Sequence, residues 1–215
     1  MKKYVLSSTI ILFIAFGYAI IRYNVIKGVS WIDLPLFISN KAIALAAVIF
    51  IAISYALGSL ARFWPKIFVP ALGTRKFFGL AGFCLSAFHG ILSLLIFSPT
   101  YYSKFFLGNG RLNLTGGLST LFGVLSFFLF TCVAISSIPG VIQPTEQEKW
   151  FAIQRLGYLG LVAVLAHVFV MGFEGWLKPS GWPGGLLPIS LVAASIILVV
   201  LLLKMAAILS PKQKI

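Results

Sequence analysis

The chain has 215 residues, of which 60% are hydrophobic and only 10% charged, and its mean hydropathy is +1.04. A soluble domain carries about 25% charged residues, so this composition excludes a water-soluble globular protein. The net charge of +13 comes from 17 basic and 4 acidic residues. Because the basic residues are spread over the ends of apolar segments, they indicate membrane-flanking charges and not a nucleic-acid-binding surface.

Six apolar segments are long enough to cross a bilayer, whose core requires about 20 residues of helix. They are approximately Tyr4–Ile21, Lys41–Leu60, Phe77–Phe97, Thr115–Ile138, Phe151–Gly172 and Leu186–Leu209. Proline and glycine separate them. No small-residue cleavage site follows the first segment, which favours a retained helix over a signal peptide. We therefore expect an all-α integral membrane protein, a six-transmembrane-helix bundle forming a single domain over residues 1–215, with no soluble domain.

The distribution of basic residues predicts the orientation of the bundle, because six spans place both termini on one side. The terminal side holds eleven: Lys2, Lys3, Arg62, Lys66, Arg75, Lys76, Lys149, Arg155, Lys204, Lys212 and Lys214. The other side holds six: Arg22, Lys27, Lys41, Lys104, Arg111 and Lys178. Cytoplasmic loops carry the excess of Lys and Arg. We predict a multi-pass protein of the bacterial inner membrane with both termini in the cytoplasm.

The two histidines of the chain each lie alone inside a long apolar segment, where an ionisable side chain is costly and marks a functional-site hypothesis. His89 follows Phe77 by twelve residues, and His167 follows Arg155 by twelve, which places each about 18 Å into its helix. The third and fifth spans run in the same direction. The two imidazoles are therefore predicted to reach the same depth in the membrane.

Either histidine alone is compatible with a hydrogen bond to a neighbouring helix or with a proton relay. Their matched depth favours one shared metal. Zinc requires four ligands, but the acidic residues lie in loops or at membrane edges, and Cys84 and Cys132 have no zinc or disulfide spacing. Two imidazoles on opposite faces of a porphyrin form the common site that these residues can complete. The sequence thus favours a heme held by His89 and His167.

Small residues share a helix face with each histidine. Gly82, Ser86 and Ser93 follow the face of His89, and Gly160 and Ala163 follow that of His167. Two interpretations remain open: room for a flat macrocycle, or ordinary contacts between helices.

Two segments resemble the ferric reductase-like transmembrane domain family. RKFFGLAGFCLSAFH (Arg75–His89) is similar to its third helix, in which a basic pair, a Gly-Leu and an aromatic residue precede a heme-ligating histidine. WFAIQRLGYLGLVAVLAH (Trp150–His167) is similar to its fifth helix, and AISSIPG to the end of its fourth. The nearest resemblance is to the heme-binding subunits of bacterial periplasmic methionine sulfoxide reductase systems. A more distant one is to the STEAP metalloreductases and the NADPH oxidases.

This resemblance implies that His89 and His167 are the axial ligands of one b-type heme. Gln154 stands where many members have a further histidine, which implies a single heme. The flavin and nicotinamide domains of the oxidases are absent, so electrons are expected from a donor flavoprotein, a free flavin or a membrane quinol. A periplasmic protein, a metal chelate or oxygen is the expected acceptor. The chain is thus expected to be an oxidoreductase component without a catalytic residue of its own.

Three basic residues are candidates for contact with a heme propionate or a flavin phosphate. Arg155 adjoins Gln154 at the membrane edge, where an arginine commonly extends to the interface instead. Lys104 and Arg111 follow His89 on the far side, where they also suit ordinary interface anchoring.

Two other classes of function are compatible with the sequence. One is a small transporter or channel whose histidines relay protons or bind a metal ion, although the third and fifth spans lack the Gly/Pro break typical of transporter sites. The other is a structural membrane subunit whose histidines are hydrogen-bonded in the interior.

Overall fold

The computed structural model describes residues 2–141 and 146–211. These ranges contain six long helices, joined by loops and short helical turns. The long helices are α1 Lys2–Ile20, α2 Ser39–Phe63, α3 Arg75–Leu95, α4 Leu114–Ser136, α5 Gln147–Trp176 and α6 Ile189–Leu209. Six helical segments are long and apolar enough to cross a membrane. The described ranges contain no strand beyond an isolated β-bridge between Phe106 and Leu112. The prediction of an all-α six-helix membrane bundle is confirmed.

Proline and asparagine set two of the helix boundaries. α2 stops at Phe63 because Trp64 precedes Pro65 and adopts a non-helical backbone (φ −131°, ψ 70°). α4 begins after Asn113, whose side chain accepts a hydrogen bond from the Gly116 amide at 2.9 Å. That bond satisfies one of the free N–H groups at the start of the helix.

The connection between the first two spans is more helical than the sequence predicted. The first span, expected to end at Ile21, continues as a π-helix over Ile21–Ile26, and helical turns from Trp31 lead into α2. The Asn24 amide donates to the carbonyls of Val29 and Ser30 at 3.1 and 3.3 Å. These bonds close the turn locally, which leaves only a short non-helical stretch.

α2 is the central helix of the bundle. Of its most apolar 18-residue stretch 61% is buried, against 17% to 28% for the other spans. It packs against α1, α3 and α6, whereas α4 and α5 pack mainly against each other and α5 also against α6. α3 makes only a small contact with α4. The two helices that carry the histidines, α3 and α5, therefore pack mainly against other helices and not against each other.

Part of the predicted orientation rests on residues whose side chains the structure does not describe. Lys212 and Lys214 lie outside the described residues, and so do the side chains of Lys2 and Lys3. The cytoplasmic placement of the termini stays a prediction.

Gly157→Ala is expected to lower the free energy of unfolding by about 2 kcal/mol, because it overfills the contact between α2 and α5. A Cβ at this position would lie 1.5 Å from the hydroxyl oxygen of Tyr55, a side chain that is only 5% exposed. Unfolding in mixed micelles measures the change. Gly117→Ala in α4 is the control, since a Cβ there meets open space. Equal free energies of unfolding for the two variants would show that α2 and α5 are not tightly packed at Gly157.

Candidate functional site

His89 projects from α3 toward the first turn of α2. Its Nδ1 lies 2.7 Å from Oδ1 of Asn40, a side chain that is 1% exposed. The Asn40 amide nitrogen donates to the hydroxyls of Ser93 at 3.0 Å and Tyr102 at 3.2 Å. Because the donor end of the amide is engaged by these two oxygens, its Oδ1 is the acceptor for His89. The imidazole therefore donates its Nδ1–H to Asn40.

His167 projects from α5 onto the first turns of α4. Its Nδ1 lies 2.8 Å from the backbone oxygen of Ser119 and 3.3 Å from the hydroxyl of the same residue. A carbonyl can only accept, so this ring is also an Nδ1–H donor. Gly123 makes the approach possible, since a Cβ there would lie 3.2 Å from Nδ1.

The structure places the two rings at the same end of the bundle. Their acceptors lie in the early turns of α2 and α4, which begin at the same end of the bundle. Among the described residues neither Nε2 has a hydrogen-bond partner. Both rings remain partly accessible.

Holding Nδ1–H in a hydrogen bond fixes the tautomer of a neutral imidazole and leaves a lone pair on Nε2. This is the form that binds a metal or accepts a proton. Among the described residues, no three His, Cys, Asp or Glu side chains lie close enough together to hold a metal ion. The two Nε2 atoms, on separate helices, could hold a metal whose other ligands come from a planar macrocycle.

The two glycines predicted beside the histidines lie at helix contacts. A Cβ on Gly82 would lie 2.6 Å from Ile51 of α2, and one on Gly160 would lie 3.0 Å from Phe130 of α4. Their absent side chains serve close helix packing, the second of the two interpretations from sequence.

The other small residues have different surroundings. Ala163 is buried, and the Ser86 hydroxyl donates back to the Gly82 carbonyl within α3 at 2.9 Å. Ser93 accepts from Asn40 and so belongs to the network that orients His89.

The Gln154 carboxamide is occupied at the opposite end of the bundle. Its Nε2 lies 3.3 Å from the Val133 carbonyl and 3.0 and 3.1 Å from the hydroxyls of Ser136 and Ser137. These groups belong to the end of α4, where backbone carbonyls lack partners within the helix. Gln154 therefore ties α5 to α4.

The three basic candidates occupy different environments. Arg155 and Arg111 are exposed. The Lys104 amine donates to the backbone oxygen of Met171 and lies 5.1 Å from the ring centre of Phe105. Burial lowers the pKa of Lys104, while the nearby Glu174 carboxylate opposes that shift. Of the three, only Lys104 reaches from its loop onto α5 near His167.

Sequence reasoning missed three residues that position the histidines: Asn40, Ser119 and Gly123. An asparagine at the start of an apolar span carries a signal, because a buried amide needs hydrogen-bond partners. The roles of Ser119 and Gly123 depend on which face of α4 meets α5, and the sequence of α4 is apolar all round.

No protein-family model matches the chain. The resemblance to the ferric reductase-like family stays a prediction.

Asn40→Leu is expected to release His89 from the Nδ1–H tautomer while leaving His167 unchanged, because it removes the acceptor of one ring only. Nitrogen-15 NMR of histidine-labelled protein distinguishes Nδ1–H from Nε2–H imidazole. Wild-type protein without added cofactor should show two Nδ1–H rings, and the variant one. A variant spectrum in which both rings or neither change would contradict the assigned network.

Proposed function

We propose that this protein is a membrane b-type cytochrome that carries electrons through one heme, with His89 and His167 as its axial ligands. One observation carries the proposal: each ring is held at Nδ1 by an acceptor on a neighbouring helix, α2 for His89 and α4 for His167, and each leaves Nε2 free. Zinc-type alternatives need additional protein ligands that the described residues do not group together.

A bound heme supplies one-electron redox chemistry, and the protein sets its ligation and surroundings. Asn40 and the Ser119 carbonyl orient the two imidazoles and raise the electron density on Nε2 by accepting the opposite proton. The apolar side chains of the bundle exclude water. In this proposal Lys104 faces a propionate, while the exposed Arg111 and Arg155 supply interface charge.

Gln154 supports a single heme over two. Its amide nitrogen is engaged by three acceptors at the end of α4, and a carboxamide is a poor ligand for heme iron. The proposed protein therefore resembles the ferric reductase-like family with its inner heme position unused. Its electrons reach the single heme from the terminal side of the membrane.

A cavity of about 270 Å³ at the Gln154 end of the bundle is the proposed entry point for electrons. Its wall includes Arg75, Trp150 and Phe83, and aromatic and basic groups of this kind suit a flavin or quinone ring. Arg155, the residue predicted for a flavin phosphate, does not line it. We propose a flavoprotein, a flavin or a quinol as donor, and a periplasmic protein or a metal chelate as acceptor.

We also propose the bacterial inner membrane as the location, with both termini in the cytoplasm. The excess of basic residues on the terminal side supports that orientation. The cavity then faces the cytoplasmic half, and the histidine pair faces the periplasmic half.

The purified protein is expected to show the reduced-minus-oxidised alpha band of a b-type heme, and His89→Ala and His167→Ala should each abolish it. Each substitution removes one of the two axial nitrogens. Absorption spectra of proteins produced with heme supplied in excess test this. A colourless wild-type protein contradicts the proposal and favours the transporter or structural alternatives.

Gln154→Ala is the matched control for these variants, because Gln154 lies on the same helix as His167 but is not a ligand in the proposal. It should retain one heme per chain. Loss of half of the bound heme would show that a second heme exists and that the single-heme proposal is wrong.

Trp150→Ala is expected to slow reduction of the heme by an added quinol or reduced flavin about threefold to tenfold, because it removes an aromatic wall of the cavity. Stopped-flow absorption measures the rate. Trp64→Ala is the control, since Trp64 is exposed just after α2 and does not line the cavity. Equal slowing in both variants would place electron entry elsewhere.

A further inference from the structure

Arg22 is buried with two of its three guanidinium nitrogens lacking a hydrogen-bond partner. It lies in the π-helix that continues α1 and is 6% exposed. Its Nε and Nη1 have no hydrogen-bond partner. An arginine at a helix end ordinarily extends its charged group into the interface. Here the guanidinium is turned inward, where unmade hydrogen bonds to a charged group are costly.

Two lysines share the surroundings of this guanidinium. Arg22 Cζ and Lys41 Nζ each lie 5.4 Å from the centre of the Tyr23 ring, and Lys27 Nζ lies 6.0 Å from it. Lys41 also lies 4.1 Å from the ring centre of Phe37. The aromatic faces attract each cation, but they do not cancel the repulsion among three positive charges.

No carboxylate compensates these charges within the part of the chain that the structure describes. The one ion pair found there joins Lys149 to Glu146, far along the sequence. Asp33, the nearest acid in the sequence, forms none. Uncompensated charges in a low-dielectric interior are strongly unfavourable. The buried charge of Arg22 is therefore not balanced by a carboxylate of the described residues, and two further cations lie near it.

The surrounding segment has the character of a membrane interface. Trp31 is 59% exposed and Ile32 89% exposed, beside the exposed Lys27. Tryptophan and lysine concentrate at the level of lipid headgroups. The segment next to Arg22 therefore has the composition typical of the depth at which phosphate groups are abundant.

We infer that Arg22, Lys41 and Lys27 form a binding site for a phosphate group, either that of an anionic phospholipid or inorganic phosphate. The unpartnered Nε–H and Nη1–H groups of Arg22 donate to phosphate oxygens in charge-assisted hydrogen bonds. Lys41 and Lys27 add charge, and the exposed Lys27 side is the route of entry. The phosphate site uses neither histidine, although Lys41 follows Asn40 in the chain and its Nζ lies 5.6 Å from the centre of the Tyr102 ring.

Native mass spectrometry of the full chain tests the site, with phosphatidylglycerol in one arm and inorganic phosphate in the other. Wild-type protein should retain phosphatidylglycerol in preference to phosphatidylcholine. Arg22→Gln and Lys41→Gln should each weaken binding about tenfold or more, because each removes a charged partner of the phosphate. If inorganic phosphate displaces phosphatidylglycerol, the site also binds the free anion. If it does not, the lipid is the ligand.

Lys178→Gln is the control, since Lys178 is an exposed basic residue on the same side of the bundle. It should bind phosphatidylglycerol as the wild type does. The Lys41→Gln variant tests the site if the Arg22→Gln variant fails to fold, because Lys41 is only half-buried and its substitution disturbs the interior less. The inference is overturned if wild-type protein binds neither phosphate source, or if all the variants bind equally well.

Discussion

The hydrogen bond that each buried imidazole must make is the constraint on which the candidate site depends. An apolar interior offers no water to a ring nitrogen, so the chain itself has to provide an acceptor. His89 finds its acceptor in a side chain of α2, and His167 finds it in the backbone of α4. These two bonds determine the tautomer and direction of both rings. They also fix which nitrogen is left for chemistry.

Much of the architecture could be predicted from the sequence, because membrane-spanning helices are recognised by their length and apolar composition. The number of spans and the helical class follow from the cost of burying polar groups. The predicted boundaries were close, since α2 ends at Phe63 instead of Leu60 and α4 begins at Leu114 instead of Thr115. These predictions needed no knowledge of which helix touches which.

What the sequence did not reveal depends on helix neighbours. Asn40 lies 49 residues from His89 in the sequence, and nothing along the chain links them. Gly82 and Gly160 fit a cofactor pocket and a helix contact equally well until their facing residues are known. Arg22 belonged to a group of flanking charges, and only the packing of α1 shows that it is buried. In each case the missing information is the rotation of one helix against another.

The small contact between α3 and the α4–α5 pair has a consequence for the order of assembly. The major interfaces of the bundle join α2 to α3 and α4 to α5, and each histidine is tied to the partner helix within its own pair. The two pairs meet loosely between α3 and α4, whereas α2 and α5 pack closely where Tyr55 meets Gly157. Each pair can therefore orient its own imidazole independently of the other, because each histidine and its acceptor belong to the same pair.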